Sequence, residues 1–328
     1  MLVKIPKGWE IPESQTTPED IFYSRRSLLR GIGMSATATA GGLVLGAGLR
    51  PSFSDVLGED EDSLYLNTRN NTYKLDRPIT PEEIATKYNN YYEFGSHKKI
   101  WSLAQKLPTH PWQVVIDGLV EKEKVIDVDK LTRLMPLEER LYRHRCVERW
   151  SIAVPYSGFP LRALLSYAAP LASAKYVLME SFMNSDVASG QRQFWYPWPY
   201  VEGLAIDEAA HDLSFIATGY YGKKLPKQNG APLRLAVPWK YGFKHIKAIT
   251  KFTFTAKRPV SFWESVAEGE YGVWANVAGA IPHARWSQAT EEFFGPNGKE
   301  FRRTKLYNGY AEFVASLYRG RESESLFK

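Results

Sequence analysis

Residues 142–150 read Tyr142-Arg143-His144-Arg145-Cys146-Val147-Glu148-Arg149-Trp150, and Cys146 is the single cysteine of the 328-residue chain. A lone cysteine closes no intrachain disulfide, so the fold does not rest on a disulfide framework. Three arginines and a histidine lie within four residues of the thiol. Nearby cations favour the thiolate, the form that binds metal or attacks an electrophile, and thiolate is a soft ligand suited to redox metals. The plainer alternative is a buried, inert structural cysteine. A strand alternates its side chains, so some of these arginines must face away from the thiol. Zinc would need about four ligands, usually at C-x-x-C or H-E-x-x-H spacing. Neither pattern is present, and the six histidines are scattered.

Outward from the cysteine, the pattern mixes strands and short helices. Leu141–Arg145 reads as a strand leading into Cys146, and Pro160–Ala169 as a helix with Pro160 in its first turn. Upstream, Thr80-Pro81-Glu82-Glu83 predicts a helix running towards Tyr88, with Thr80 as cap and Glu83 completing a capping box. Trp112–Asp117 reads as a strand closed by Gly118, and Asp127–Leu134 as a short helix stopped before Pro136. Lys175–Ser181, Leu213–Thr218 and Leu233–Val237 have strand character, and Ala248–Thr255 alternates through Ile249, Phe252 and Phe254. Without a regular strand–helix alternation, the expectation is α+β with mixed sheets rather than a doubly wound parallel sheet.

The composition is that of an ordinary globular protein, 44% hydrophobic and 24% charged, enough for a sizeable core. The formal charge is +6; residues 1–50 hold six Lys/Arg and four Asp/Glu, which leaves +4 for the remainder. That excess is mild and contains no long Lys/Arg run, which argues against nucleic acid as a partner. Near the N-terminus, Ser24-Arg25-Arg26-Ser27-Leu28-Leu29-Arg30 precedes a weakly apolar stretch, Ile32 to Leu49, rich in Gly, Ala, Ser and Thr. Paired arginines before such a stretch read as a twin-arginine export signal, and the many small residues argue against a membrane anchor. Residues 1–58 are therefore expected to be the signal and a flexible start, and residues 59–328 one catalytic domain. The expected location is the periplasm, with a soluble mature chain.

Two further segments carry chemistry. Asn229-Gly230-Ala231-Pro232-Leu233-Arg234 is a turn feeding a strand. It is followed by Val237-Pro238-Trp239-Lys240-Tyr241-Gly242-Phe243-Lys244-His245-Ile246-Lys247. Gly230 and Gly242 permit unusual backbone angles or close approach to a ligand. Arg234, Lys240, Lys244 and Lys247 suit a phosphate; the residues alone equally describe a solvated basic loop. Asn89-Asn90-Tyr91-Tyr92-Glu93-Phe94 places amides and aromatics just after a helix, where a helix cap with packing tyrosines is the simpler reading.

Together these motifs resemble a known family. Asn89–Gly95, Arg145-Cys146-Val147-Glu148, Gly158-Phe159-Pro160-Leu161, Gln228–Pro232, Val237–Lys244, Arg285-Trp286-Ser287-Gln288-Ala289-Thr290 and Asn308–Glu312 occur in the order found in the catalytic subunits of periplasmic protein-methionine-sulfoxide reductases. These are molybdenum enzymes of the sulfite-oxidase superfamily, and the likeness spans residues 60–320. It implies the sulfite-oxidase-like fold and one molybdenum–molybdopterin cofactor per chain, with Cys146 as protein ligand to the metal and catalytic residue. By position, Asn89, Tyr92, Glu93, Ser181, Asn229, Arg234, His245, Ile246 and Lys247 would contact the cofactor. Ser181 stands where the family pattern has Thr, and His245 where it has a small residue. The implied reaction returns methionine sulfoxide in exported proteins to methionine by oxygen-atom transfer. No C-x-x-C-H haem motif and no second cysteine occur, so electrons would come from a separate partner; the resemblance implies a membrane haem-containing subunit fed by quinol. Two alternatives stand beside this: a sulfite-oxidase-type oxidoreductase in which Arg143, Arg145 and Arg149 serve a small anion, and an exported binding protein without a metal.

Overall fold

Strand β4, Trp150–Pro160, is buried along its whole length and organises the larger of two sheets. The computed structural model describes Tyr65 and residues 67–328, which fall in one compact unit. The export signal expected within residues 1–58 lies outside the described residues. β4 pairs antiparallel with β3 (Glu138–Arg145) and with β7 (Phe215–Tyr220), and parallel with β11 (Thr290–Gly295). The hairpin of β11 with β12 (Gly298–Arg303), the short β8 (Lys223–Lys224) and β9 (Arg234–Ala236) complete it. The second sheet has the order β2-β1-β10-β5-β6, built from β1 (Gln113–Gly118), β2 (Lys124–Asp127), β5 (Tyr176–Ser181), β6 (Val201–Ala205) and β10 (Ile249–Thr255). Its β1–β10 pair is parallel and the others antiparallel. With short helices between, this is the α+β, mixed-sheet architecture the sequence predicts, and it corresponds to the sulfite-oxidase-like molybdopterin-binding fold.

The alternation of β10 is realised. Ile249, Phe252 and Phe254 are buried, while Lys251 points away to Asp117 and Glu180. Each such side chain contributes about 1.5–3 kcal/mol by leaving water, and one apolar cluster runs through both sheets. β4 escapes a reading by alternation because both of its faces are covered. Pro155 and Gly158 within it also argue against a central strand. Pro155 stays in register opposite Leu141, while Gly158 stands at a register shift that follows Ser157. There a Cβ on Gly158 would lie 2.0 Å from the Ile216 carbonyl oxygen.

One local expectation is corrected. The first helix spans Glu82–Lys87, and Thr80 does not cap it. Its hydroxyl instead accepts the Ala153 amide at 3.1 Å, tying the helix entrance to β4. The helix at Val128–Arg133 does carry a side-chain cap, from Asp127. Among the described residues no helix is long and apolar enough to cross a membrane.

Candidate active site

Cys146 sits in the tight connection between β3 and β4. The Cys146 amide donates to the Trp150 carbonyl at 2.9 Å and the Arg149 amide to the Cys146 carbonyl at 3.0 Å. Arg149 closes this turn in the left-handed region, at φ 76. The thiol is thus fixed at the end of two buried strands, and the Glu148 amide donates to its Sγ at 3.4 Å.

The arginines beside it direct their hydrogen bonds to groups other than the thiol. Arg145, 0% exposed, donates to the Cys146 carbonyl and to Gln288 at 2.7 Å, and pairs with Glu291 at 3.3 Å. Arg143 reaches Asp76 at 3.2 Å and the Gly309 carbonyl at 3.0 Å and lies over the Tyr310 ring. Arg149 donates to the Thr290 hydroxyl at 2.7 Å. Burial, with Glu148 adding to it, pushes the Cys146 thiol up to about 12. Lys98 and Arg145 pull the other way, as the sequence suggests, but burial outweighs them, so the surrounding cations alone do not make the thiol acidic.

Cys146 faces a cleft of about 830 Å³, its open mouth included. Asn89, Tyr92, Glu93, Asn229, Arg234, His245, Ile246 and Lys247 all line it. Ser181 stands behind this wall: its hydroxyl bonds Glu93 at 3.1 Å and the Lys247 carbonyl at 2.9 Å. Four chain segments far apart in sequence are joined here by hydrogen bonds. Asn229 donates to Asn89 at 3.0 Å, and Arg234 donates to the Asn229 carbonyl at 3.0 Å. Gly230, at φ 108, lets Lys247 pack against it, since a Cβ there would lie 2.8 Å from the lysine Cβ. Burial raises the Glu93 carboxyl and lowers the Lys247 ammonium, while their opposite charges counter both shifts.

Two members of the predicted phosphate set are spent elsewhere. Lys240 is buried against Glu208 at 2.5 Å and Lys244 against Glu202 at 2.5 Å. Neither lines the cleft, which leaves Arg234 and Lys247 facing it. His245 is more than a backbone contact. Its Nε2–H donates to the Val237 carbonyl at 3.0 Å, so the neutral ring accepts at Nδ1, from the His144 Nδ1–H at 3.2 Å. Burial holds both imidazoles well below their ordinary pKa.

Sequence reasoning missed much of the wall. Trp150, Tyr156 and Tyr220 line it from the central strands, and Phe243, Trp263 and Tyr271 stand among its aromatic residues. Their types look like core packing, and only strand pairing brings them to Cys146. At the half-buried edge, Glu148 lies 3.9 Å from Sγ, accepts from Asn90 at 3.2 Å and pairs with Lys98.

Among the described residues no group of three or more His, Cys, Asp or Glu side chains could hold a metal ion. A molybdenum cofactor held by Cys146 would bring its own chelating ligands. The cleft suits one. Asn90 Oδ1, Tyr91 OH, Trp150 Nε1, Tyr220 OH and Asn229 Oδ1 are buried in its wall without partners. Buried polar groups are ordinarily satisfied, and a polar ring system with a phosphate would satisfy these while facing Arg234 and Lys247.

A single cysteine in a cleft with two facing cations and several unpartnered polar groups is the arrangement that suits a metal carried by an organic chelate. The comparisons specify it further. Residues 102–263 match the oxidoreductase molybdopterin binding domain, a domain that binds molybdopterin with molybdenum. The match encloses Cys146, Ser181, Asn229, Arg234 and His245–Lys247, and leaves the Asn89–Glu93 segment outside. The sulfane dehydrogenase SoxCD from Paracoccus pantotrophus is similar at 19% identity and a TM-score of 0.42, over 74% of this chain. This chain covers 60% of that structure's length.

Proposed function

We propose that this oxidoreductase reduces methionine sulfoxide in exported proteins to methionine, with Cys146 as the ligand that holds molybdenum. The observation that carries the reading is the character of the cleft lining. Half-buried Tyr92, Trp263 and Phe243 and buried Tyr271 form an aromatic stretch of the lining, with Tyr92 and Trp263 at 4.7 Å and Trp263 and Tyr271 at 5.2 Å between centroids. Arg143 and Arg145, which a small oxyanion would use, are buried and engaged with Asp76 and Glu291, and half-buried Arg149 is bonded to Thr290. Lys98, near the edge, is already paired with Glu148. Aromatic rings cover the apolar CH2 and CH3 groups that flank a sulfoxide sulfur, groups that sulfite lacks.

When bound, the molybdenum cofactor supplies two-electron oxygen-atom transfer. In the balanced reaction the sulfoxide S–O bond breaks, two electrons and two protons are consumed, and thioether and water form. Cys146 fixes the metal at the end of β3. Arg234 and Lys247 offer cationic contacts to the cofactor's phosphate, and Asn89, Asn229, Tyr92 and Glu93 hold the remaining wall. The lining rings orient the methionine side chain and narrow the path of water. In this reading, as the family resemblance implies, a separate membrane haem-containing subunit supplies the electrons and the reaction runs in the periplasm.

The test is oxidation of a reduced viologen dye by molybdenum-loaded protein, with protein-bound methionine sulfoxide added and sulfite oxidation measured in parallel. Sulfoxide-dependent oxidation that vanishes in Cys146→Ser is expected. Turnover of sulfite but not sulfoxide would move the assignment to a small-anion oxidoreductase.

A further inference from the structure

The loop from Phe182 to Tyr200 carries three exposed apolar side chains: Met183, Phe194 (92% exposed) and Trp195 (60% exposed). The loop is nevertheless well tied. Gln191 donates to the Phe182 carbonyl at 2.7 Å and accepts the Asn184 amide at 2.7 Å. The Gly190 amide donates to the Glu93 carbonyl at 2.8 Å, and Tyr200 OH to the Phe243 carbonyl at 2.6 Å. These bonds anchor the loop to two segments of the cleft wall. Large apolar side chains held in water on a fixed loop mark an interaction surface.

The rings form a continuous row into the cleft. Phe194 and Trp195 lie 5.2 Å apart, Trp195 and Tyr196 6.1 Å, and Tyr196 and the lining residue Trp263 6.0 Å. Tyr196 also meets the lining residue Tyr92 at 6.2 Å. Three such steps outward from the lining exceed the reach of a free amino acid and match several residues of extended chain at about 3.3 Å each. We propose that this row is the docking surface for the polypeptide flanking an oxidised methionine, in an extended, apolar segment of a client protein. The proposal rests on the sulfoxide-reductase reading above and adds where selectivity for protein-bound over free sulfoxide resides. The occupant is a polypeptide because the surface is continuous with the cleft that takes its side chain. Preordered rings gain contact area at little cost in conformational entropy.

The test is the double variant Phe194→Ser/Trp195→Ser, whose substitutions lie at exposed positions outside the cleft wall. Molybdenum content and melting temperature should match wild type. With an oxidised, unfolded methionine-rich protein as substrate, kcat/KM should fall about tenfold or more, mainly through KM. With free methionine sulfoxide it should be unchanged. Equal activity of variant and wild type on the protein substrate overturns the docking surface and leaves the reductase reading intact. If loaded wild type reduces neither substrate, the reductase reading fails. Anisotropy of a labelled unfolded peptide then decides the surface alone: weaker binding to the variant supports it, and equal binding overturns it.

Discussion

Replacing Arg145 with methionine tests whether the arginines beside the thiol are structural or face the substrate. The guanidinium is fully buried and donates to the Cys146 carbonyl, to Gln288 at 2.7 Å and, more weakly, to Thr290 and Thr304 at 3.4 Å. Its Nε stands 3.3 Å from Glu291. Removing one partner of a buried ion pair costs about 3–5 kcal/mol, because the other charge is left uncompensated. Arg77 also pairs with Glu291 and offsets part of that cost, so the lower end applies, about 3 kcal/mol. In a domain of this size each kcal/mol lowers Tm by about 2–4 °C, so the cofactor-free Arg145→Met protein should melt roughly 6–12 °C below wild type. Calorimetry without cofactor reads this directly, since no substrate is involved. An arginine kept for an anionic substrate gives the opposite pattern: Tm within about 2 °C of wild type and a steep rise in KM. That outcome would refute the argument that the cleft mouth lacks a free arginine.

Three other outcomes follow from the geometry. At Gly190 a Cβ would lie 2.0 Å from the Tyr92 carbonyl oxygen and 2.8 Å from that of Glu93. Gly190→Ala should therefore cost about 1–3 kcal/mol by overpacking and reduce molybdenum retention on dialysis; full retention with unchanged Tm would show that the 89–94 segment yields freely. Trp150 buries an unpartnered Nε1 while its ring stacks on Phe294. Trp150→Phe removes an unsatisfied buried donor but leaves a cavity among packed rings, so the cofactor-free Tm should fall and cofactor retention should weaken; unchanged retention would remove the N–H from the cofactor site. His211 donates Nε2–H to the Phe313 carbonyl at 3.0 Å and accepts the Leu213 amide at Nδ1 at 3.1 Å, and burial holds its pKa below 6.5. The unfolded chain takes up a proton as pH falls through about 6.5 while the folded ring does not, so this contribution is whole above that pH and lost below it. Wild type should lose more Tm between pH 7.5 and 5.5 than His211→Gln, and the reverse order would contradict the assigned tautomer.

Local chemistry made several features legible in the sequence. Phe252 and Phe254 alternate because β10 is covered on one face. Asp127 caps its helix because its carboxylate accepts the amides of Asp129 and Lys130. The lone cysteine, the Asn89–Glu93 segment and the Asn229–Lys247 stretch are recognisable as ordered motifs. Their convergence on one cleft is a fact of the tertiary structure, because it depends on bonds between distant segments such as Asn229 to Asn89 and Ser181 to Glu93.

The sequence by itself determined which residue types are available: one thiol, a surplus of cations near it, and no cluster suited to zinc. Tertiary structure alone decided how those charges are used. Arg145 and Lys240 look alike as free cations in a linear reading, yet each is buried against a carboxylate supplied by a distant strand or helix, Glu291 and Glu208. Pairing of that kind is set by long-range packing, and so is the desolvation that pushes the Cys146 thiol up. Sequence neighbours reveal the charge near a group, whereas its state depends on the dielectric and on the partners that folding brings to it.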